Sequence, residues 1–478
     1  MKALKSFYIS RRRFMTAASA VAGGALLPDW MLKYDAAQAA ATPAPKPLGP
    51  NDKPGIALIG CGGQGRGDCS GAAHYGQVVA VCDVDDKQAD QAVKQFTRKI
   101  KNEKGDEVEK KPEKYKDFRK VMERSDVHVI ITGTPDHWHT LVNLAAAQAK
   151  KDIYTEKPLT LTIDEGKHLI KAVRSNKVVL QVGSQQRSDR NFRWACELVR
   201  NGRIGKLQHI LVGLPTGPRE GPFKSQPVPE GLDWDFYLGQ TPKVDFNGHN
   251  YHWNFRWWYQ FSGGQMTDWG AHHDDIAQWG NGTELSGPVE VDGESLREMI
   301  PGGYDAASQY YIKLKYANGV LMTIRSETIG PRGKLIPNSK FLKEIFSDDD
   351  PNATSKVPNG IKFEGTEGWI FVTRGAIKAS RDEILNDPLP EGAIKLYKSD
   401  NHMGNFFECV RSRKDPICPV EIGHRSISVA HIGVISVRMN RPLKWDPERE
   451  IFVGESAAEA NRWLSREMRK PYDYSFIA

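Results

Sequence analysis

"GIALIGCGGQG", residues 55–65, decides the fold. Its first five residues form an apolar run after Pro54, the pattern of a buried strand. The run passes straight into Gly60-Cys61-Gly62-Gly63-Gln64-Gly65, a G-x-G-x-x-G. Alone, that spacing is weak. A second strand-like run, residues 78–82, ends at Asp83, which lies 23 positions after Gly60. That is where a carboxylate meets the ribose hydroxyls of a dinucleotide. Gly60 permits the tight turn, Gly62 lets the backbone approach a pyrophosphate, and Gly65 lets the following helix pack close. The helix N-terminus, with Gln64 in its first turn, then faces the phosphates. An acid at position 83 repels a 2′-phosphate, so the expected cofactor is NAD rather than NADP.

Further strand–helix alternation follows. Strands are expected at 127–131, 152–154 and 178–182, with helices at 141–149 and 163–175. This implies a doubly wound parallel sheet with right-handed crossovers. The charged stretch between Arg98 and Lys116 reads as a solvated excursion. Two loops sit at carboxyl ends of these strands, where such sheets bind ligands. One is Thr134-Pro135-Asp136-His137-Trp138-His139, and the other is Thr155-Glu156-Lys157-Pro158. A lysine above a nicotinamide can polarise a hydroxyl and stabilise the developing alkoxide.

These motifs together resemble the glucose–fructose oxidoreductase / inositol dehydrogenase (Gfo/Idh/MocA) family, over roughly residues 54 to 440. The resemblance implies a Rossmann domain followed by an α/β domain with a large open, mostly antiparallel sheet that often serves in homodimer or homotetramer contacts. It implies NAD(P)-dependent redox chemistry on sugars or polyols. It assigns catalysis to Lys157 and, through an aspartate followed four residues later by histidine, to Asp268 and His272. Thr134, Pro135, His139 and Glu156 join Lys157 on the cofactor side. One departure is Asp136, where the family commonly has Asn.

The second constellation is "GGQMTDWGAHHDD", residues 263–275. A helix capped by Thr267 or Asp268 places Asp268, His272, Asp275 and Trp279 on one face. His273 lies about 100° away, beside Trp269 and Ile276. A metal needs three or four converging ligands, and nothing elsewhere completes this set, so no metal is expected. The reading is acid–base: His272 removes a hydroxyl proton, and an adjacent Asp268 orients it and raises its pKa. Substrate-side candidates are Arg187, Tyr251, Trp253, Arg256, Trp257 and Asp275. Aromatic rings stack on sugar faces, but they equally build cores and interfaces.

The chain has 478 residues and a net charge of +7. Of that excess, +4 lies in residues 1–39, where six basic side chains face Asp29 and Asp35. The remaining excess is no argument for a nucleic-acid partner. Ser10-Arg11-Arg12-Arg13-Phe14 has the twin-arginine form. A short apolar stretch and Ala37-Gln38-Ala39 follow it. The sequence thus divides into a signal (1–39), a linker (40–53), a Rossmann domain (54–183), a substrate domain (184–442) and a C-terminal extension (443–478), with no membrane span in the mature chain. Export of a folded protein fits a cofactor loaded in the cytoplasm and held tightly in the periplasm. Exported relatives of this family include NAD-dependent glycosidases that cleave through a transient keto-sugar; the plain E-K-P form favours net redox here. Among the six cysteines, Cys409 and Cys418 are the one candidate disulfide; the others read as core thiols.

Overall fold

The protein is described here by a computed structural model covering residues 49, 52–101, 105–326 and 359–477. The twin-arginine segment and nearly all of the linker lie outside the described residues.

The opening stretch forms β1 (Gly55–Ile59), in which all five residues are buried. It is flanked by parallel partners on both sides: β2 (Gln77–Cys82), with Ile56 opposite Val78, and the strand Val129–Thr132, with Ile56 opposite Val129. A strand covered on both faces must be apolar throughout, which is why the run reads Gly-Ile-Ala-Leu-Ile with no alternation.

The charged stretch after Arg98 is not a plain excursion. It forms an antiparallel hairpin, β3 (Arg98–Lys101) with β4 (Glu107–Lys110), and then β5 (Glu113–Tyr115), which pairs with β2 as the sheet's edge. An edge strand is half solvated, so its charged composition hides it. With β6 (Val129–Thr132), β7 (Asp152–Thr155) and β8 (Leu180–Val182), the first sheet has, among the described residues, six strands in the order β5-β2-β1-β6-β7-β8. The helix after β6 spans Asp136–Gln148, starting five residues before the apolar stretch that signalled it. The helix Ile163–Asn176 opens on a capping box between Thr162 and Glu165.

Among the described residues, the second sheet has nine strands: β9 (Leu207–Gly213), β10 (Pro288–Ser295), β11 (Tyr310–Tyr316), β12 (Leu321–Arg325), β13 (Gly360–Gly365), β14 (Trp369–Thr373), β15 (Ala376–Ala379), β16 (Leu443–Asp446) and β17 (Ile451–Val453). It is antiparallel except for the β9–β12 pair. The tail from residue 443 does more than pack on the body: β16 pairs with β10 and extends this sheet. Two helices, Gly270–Asn281 and Val420–Met439, lie against each other and against the second sheet, and they carry an almost wholly buried surface.

All six cysteines are buried and free, so Cys409 and Cys418 form no disulfide. Among the described residues, no helix is long and apolar enough to cross a membrane.

Candidate active site

Two clefts meet between the domains. The first, of about 430 Å³, runs along the carboxyl ends of β1, β2 and β6. Its floor is the glycine loop. Gly60 has φ +87°, and a Cβ there would stand 2.5 Å from the Thr134 nitrogen; a Cβ on Gly65 would stand 2.2 Å from the Gly60 carbonyl oxygen. Neither position tolerates a side chain. Beyond Gly62 and Gly63, in contrast, the space for a Cβ is open. The helix Gly63–Ala72 begins there without a side-chain cap, so its first N–H groups are free for an anion.

Asp83 lines this cleft and accepts from the Cys61 N–H at 2.6 Å. Burial pushes its carboxyl up to about 6, against the pull of the Asp85 and Cys61 N–H bonds. Thr134, Pro135, His139, Glu156, Gln64 and Lys157 also line the cleft. Among the described residues, the Thr134 hydroxyl is buried without a partner. An orphaned hydroxyl, an open helix N-terminus and glycines that permit close backbone approach are what a dinucleotide requires, and the cleft fits one. His139 serves the site by tying loops together: its ring nitrogens lie 2.6 Å from the Pro158 carbonyl and 2.9 Å from that of Thr134.

The second cleft, of about 610 Å³, shares Gln64, Glu156, Lys157, Trp253 and Arg256 with the first. It adds Asp268, His272 and Trp269 from the second constellation. Lys157 sits at the junction. Its Nζ bonds Asp268 Oδ1 at 2.5 Å, and Arg256 Nε stands 3.5 Å from the same oxygen. Burial alone would raise the Asp268 carboxyl, but Lys157 and then Arg256 hold it below the ordinary range.

Here the expected partnership fails. Asp268 serves the lysine, not His272. The continuous helix expected from Thr267 or Asp268 is instead a four-residue turn, Gln265–Asp268, followed by the helix Gly270–Asn281, with Trp269 between them. Neither Thr267 nor Asp268 caps it; the Thr267 hydroxyl accepts from the Gly263 N–H. Two cations outcompete a neutral imidazole for the carboxylate. Among the described residues, His272 therefore has no carboxylate partner, and its Nδ1 is buried without a hydrogen bond. Its pKa is lowered well below 6.5, first by burial and then by Lys157 and Arg374, the opposite of the expected rise. His273 packs 5.6 Å from the Trp269 ring and bonds Gln186 and Asn359, a supporting position.

Four of the substrate candidates stand elsewhere. Arg187 and Asp275 form a bidentate pair, both bonds 2.7 Å, sealed inside the domain. Tyr251 packs on Phe246, with ring centroids 4.9 Å apart. Trp257 is buried, and its carbonyl accepts from Asp305 and Ala306. Trp253 and Arg256 do line both clefts; the Trp253 ring is 67% exposed at the mouth, with the guanidinium 4.2 Å over it.

Sequence reasoning missed Asp68, Trp269 and Arg374 in the second cleft and the His252–Asp85 pair, at 2.9 Å, in the first. Asp68 was within reach: it lies one helical turn after Gln64, whose amide donates to it at 3.2 Å. Nothing local signals Arg374.

The family comparison settles the class. The model of an oxidoreductase family with an NAD-binding Rossmann fold (Gfo/Idh/MocA) matches residues 55–184, and its C-terminal α/β domain matches residues 219–360 and 363–474. The chain belongs to the Gfo/Idh/MocA family. This Gfo/Idh/MocA chain is an NAD-dependent oxidoreductase. It is 24% identical over 341 residues to a scyllo-inositol 2-dehydrogenase (NAD(+)) of Bacillus subtilis, covering 69% of this chain and 81% of that one. Its fold is similar to an aldose-aldose oxidoreductase from Caulobacter crescentus complexed with glycerol (TM-score 0.57, 17% identity, 82% of this chain and 100% of that one). It is also similar to a levoglucosan dehydrogenase in complex with NADH and levoglucosan (TM-score 0.57, 17% identity, 82% and 99%).

The departure at Asp136 has a physical consequence in this Gfo/Idh/MocA site. The carboxyl lines the first cleft and accepts from the Ser262 hydroxyl at 2.5 Å. Burial raises it from 3.8 to about 7. Between those values the folded chain keeps a proton that the unfolded chain loses. Stability therefore falls as pH rises through the window, by up to about 4 kcal/mol when complete. Asp136→Asn removes that slope. It should raise the thermal midpoint at pH 8 and leave it nearly unchanged near pH 4; equal midpoint-against-pH curves for the two proteins would refute the assignment.

Proposed function

We propose that this chain transfers a hydride between a secondary hydroxyl of a sugar, glycoside or polyol and a tightly held NAD, working in the periplasm after export by its twin-arginine segment. The observation that carries this reading is Lys157. It is a half-buried cation at the seam of the dinucleotide cleft and the second cleft, braced by Asp268 and facing the same space as His272.

When bound, NAD supplies the hydride acceptor. The chain supplies everything else. The Lys157 ammonium donates to the substrate oxygen and stabilises the alkoxide as it forms. Asp268 holds that ammonium in place. His272 takes the hydroxyl proton. It is a weak base, but Lys157, the cation that depresses its basicity most, also acidifies the hydroxyl beside it. Burial keeps the ring in its neutral, proton-accepting form until the substrate hydroxyl ionises. Trp253 offers an open ring face at the mouth for a sugar's C–H face.

Native mass spectrometry of protein recovered from the periplasm, with product analysis on the same sample, tests the reading. A retained NAD, two or four subunits, and a keto-sugar formed with stoichiometric acceptor reduction are expected. Release of a free aglycone with no net reduction would replace it with glycoside cleavage through a transient ketone. Protein without nicotinamide and without turnover would overturn both.

A further inference from the structure

The second cleft holds carboxylates and cations in unequal states of engagement. Asp268 is taken by Lys157 and Arg256. Asp189 caps the helix Arg190–Arg200, accepting from the Asn191 N–H at 2.8 Å. Asp68 and Glu156 face each other, with the Gln64 amide donating to both at 3.2 and 3.5 Å. Every acid in the cleft is occupied. Among the cations, Arg374 differs. It stands in the turn between β14 and β15, and its guanidinium lies 4.6 Å over the ring of Trp269. Its Nε reaches the Gln186 side-chain oxygen at 3.2 Å, in the amide orientation that also lets Gln186 donate to the His272 carbonyl. Among the described residues, no carboxylate lies within ion-pairing distance of it.

We propose that Arg374 selects a substrate that carries an anionic substituent — a carboxylate, phosphate or sulfate on the sugar — and that this cleft serves a charged sugar in preference to a neutral one. The proposal rests on the reading that the cleft takes a sugar. In the open cleft, water solvates the guanidinium at little cost. A sugar that fills the cleft displaces that water beside two further cations. A neutral sugar then leaves Arg374 desolvated with only the longer-range pull of Glu156, Asp268 and Asp189, while an anion in contact compensates it directly. The planar fork suits two parallel bonds to a carboxylate, phosphate or sulfate. The stacking on Trp269 orients that fork and leaves its edge for the ligand. Nothing in this arrangement requires the anion to react: Lys157 and His272 remain with the hydroxyl, and Arg374 holds the other end.

The test uses the NAD-loaded protein and calorimetric binding of glucose, galactose and mannose, each against its own uronate, with the 6-phosphate and 6-sulfate of glucose as further arms. At least one anionic sugar should bind about tenfold tighter than its neutral parent, and that ratio should fall to near one in Arg374→Met. The arm with the largest ratio names the substituent. No anionic sugar binding more than about twofold tighter than its parent overturns the proposal. So does a preference that survives in Arg374→Met protein with an unchanged thermal midpoint. Nicotinamide absorbance on the same samples separates the two claims. An Arg374-dependent preference without any hydride transfer upholds the selectivity and sinks the proposed oxidation of sugars in this cleft; oxidation of neutral sugars with no preference does the reverse.

Discussion

Replacing Lys157 by Met should lower kcat by roughly a thousandfold while the protein still folds and still carries its nicotinamide. The cation sits 2.5 Å from Asp268 and belongs to both clefts. Its charge is realised against an alkoxide that exists only as the hydride leaves, so its loss falls on kcat more than on KM. Met keeps the apolar stem and removes only the head. The glycine loop, the open helix N-terminus and Asp83 are untouched, which is why cofactor retention should persist. A second consequence follows from Asp268. Without Lys157 it keeps only Arg256, at 3.5 Å. Burial then regains weight, and the carboxyl's pKa rises toward the working range. Residual turnover in Lys157→Met should therefore show an added dependence on pH that the parent lacks. Near-normal kcat in the variant would remove Lys157 from the chemistry. Loss of bound nicotinamide would show that the lysine's part is in holding the cofactor.

The parts of this site legible in the sequence are those set by short spacings. A glycine at φ +87° and an acid at the end of the next strand are local facts about one βαβ unit, and positions 60, 62, 65 and 83 announce them. Lys157 and His272 were legible as chemistry-bearing residues at loop and helix positions. Their partners were not. Helical phase alone groups Asp268 with His272, but phase assumes an unbroken helix and says nothing about cations arriving from other elements. Lys157 comes from 111 residues away and Arg256 from the preceding aromatic segment. Arg374 enters from a hairpin 105 positions after Trp269 in the chain, and no periodicity encodes that approach. The edge strands β5 and β17, and β16 beside the latter, were missed for a related reason: their half-solvated faces carry the composition of loops.

The second large effect concerns the pair that helical phase assigned to the substrate. Asp275→Ala should destabilise the fold by about 3–5 kcal/mol and leave the KM of the surviving folded enzyme for its sugar unchanged. Arg187 and Asp275 are 2% and 0% exposed. The guanidinium gives two bonds of 2.7 Å, the Ser426 hydroxyl a third at 2.5 Å, and Trp279 lies 4.7 Å beneath the cation. Together they join the segment after β8, the helix Gly270–Asn281 and the helix Val420–Met439 at a point no ligand reaches. Removing the acid leaves a desolvated guanidinium with no counter-charge, and removing Arg187 alone leaves a desolvated carboxylate. Each single loss costs more than the pair contributes, because each strands a charge. The double variant Arg187→Met, Asp275→Leu, which strands none, should regain most of the stability lost in either single variant. Denaturant midpoints of the parent, Arg187→Met, Asp275→Leu and the double variant close this cycle. If the two single losses simply add in the double variant, the charges act independently and the buried pair is not the device that holds these helices. If Asp275→Ala instead keeps its midpoint and raises KM about tenfold or more, the carboxylate faces the substrate after all, and the helix it belongs to must turn when the cleft fills.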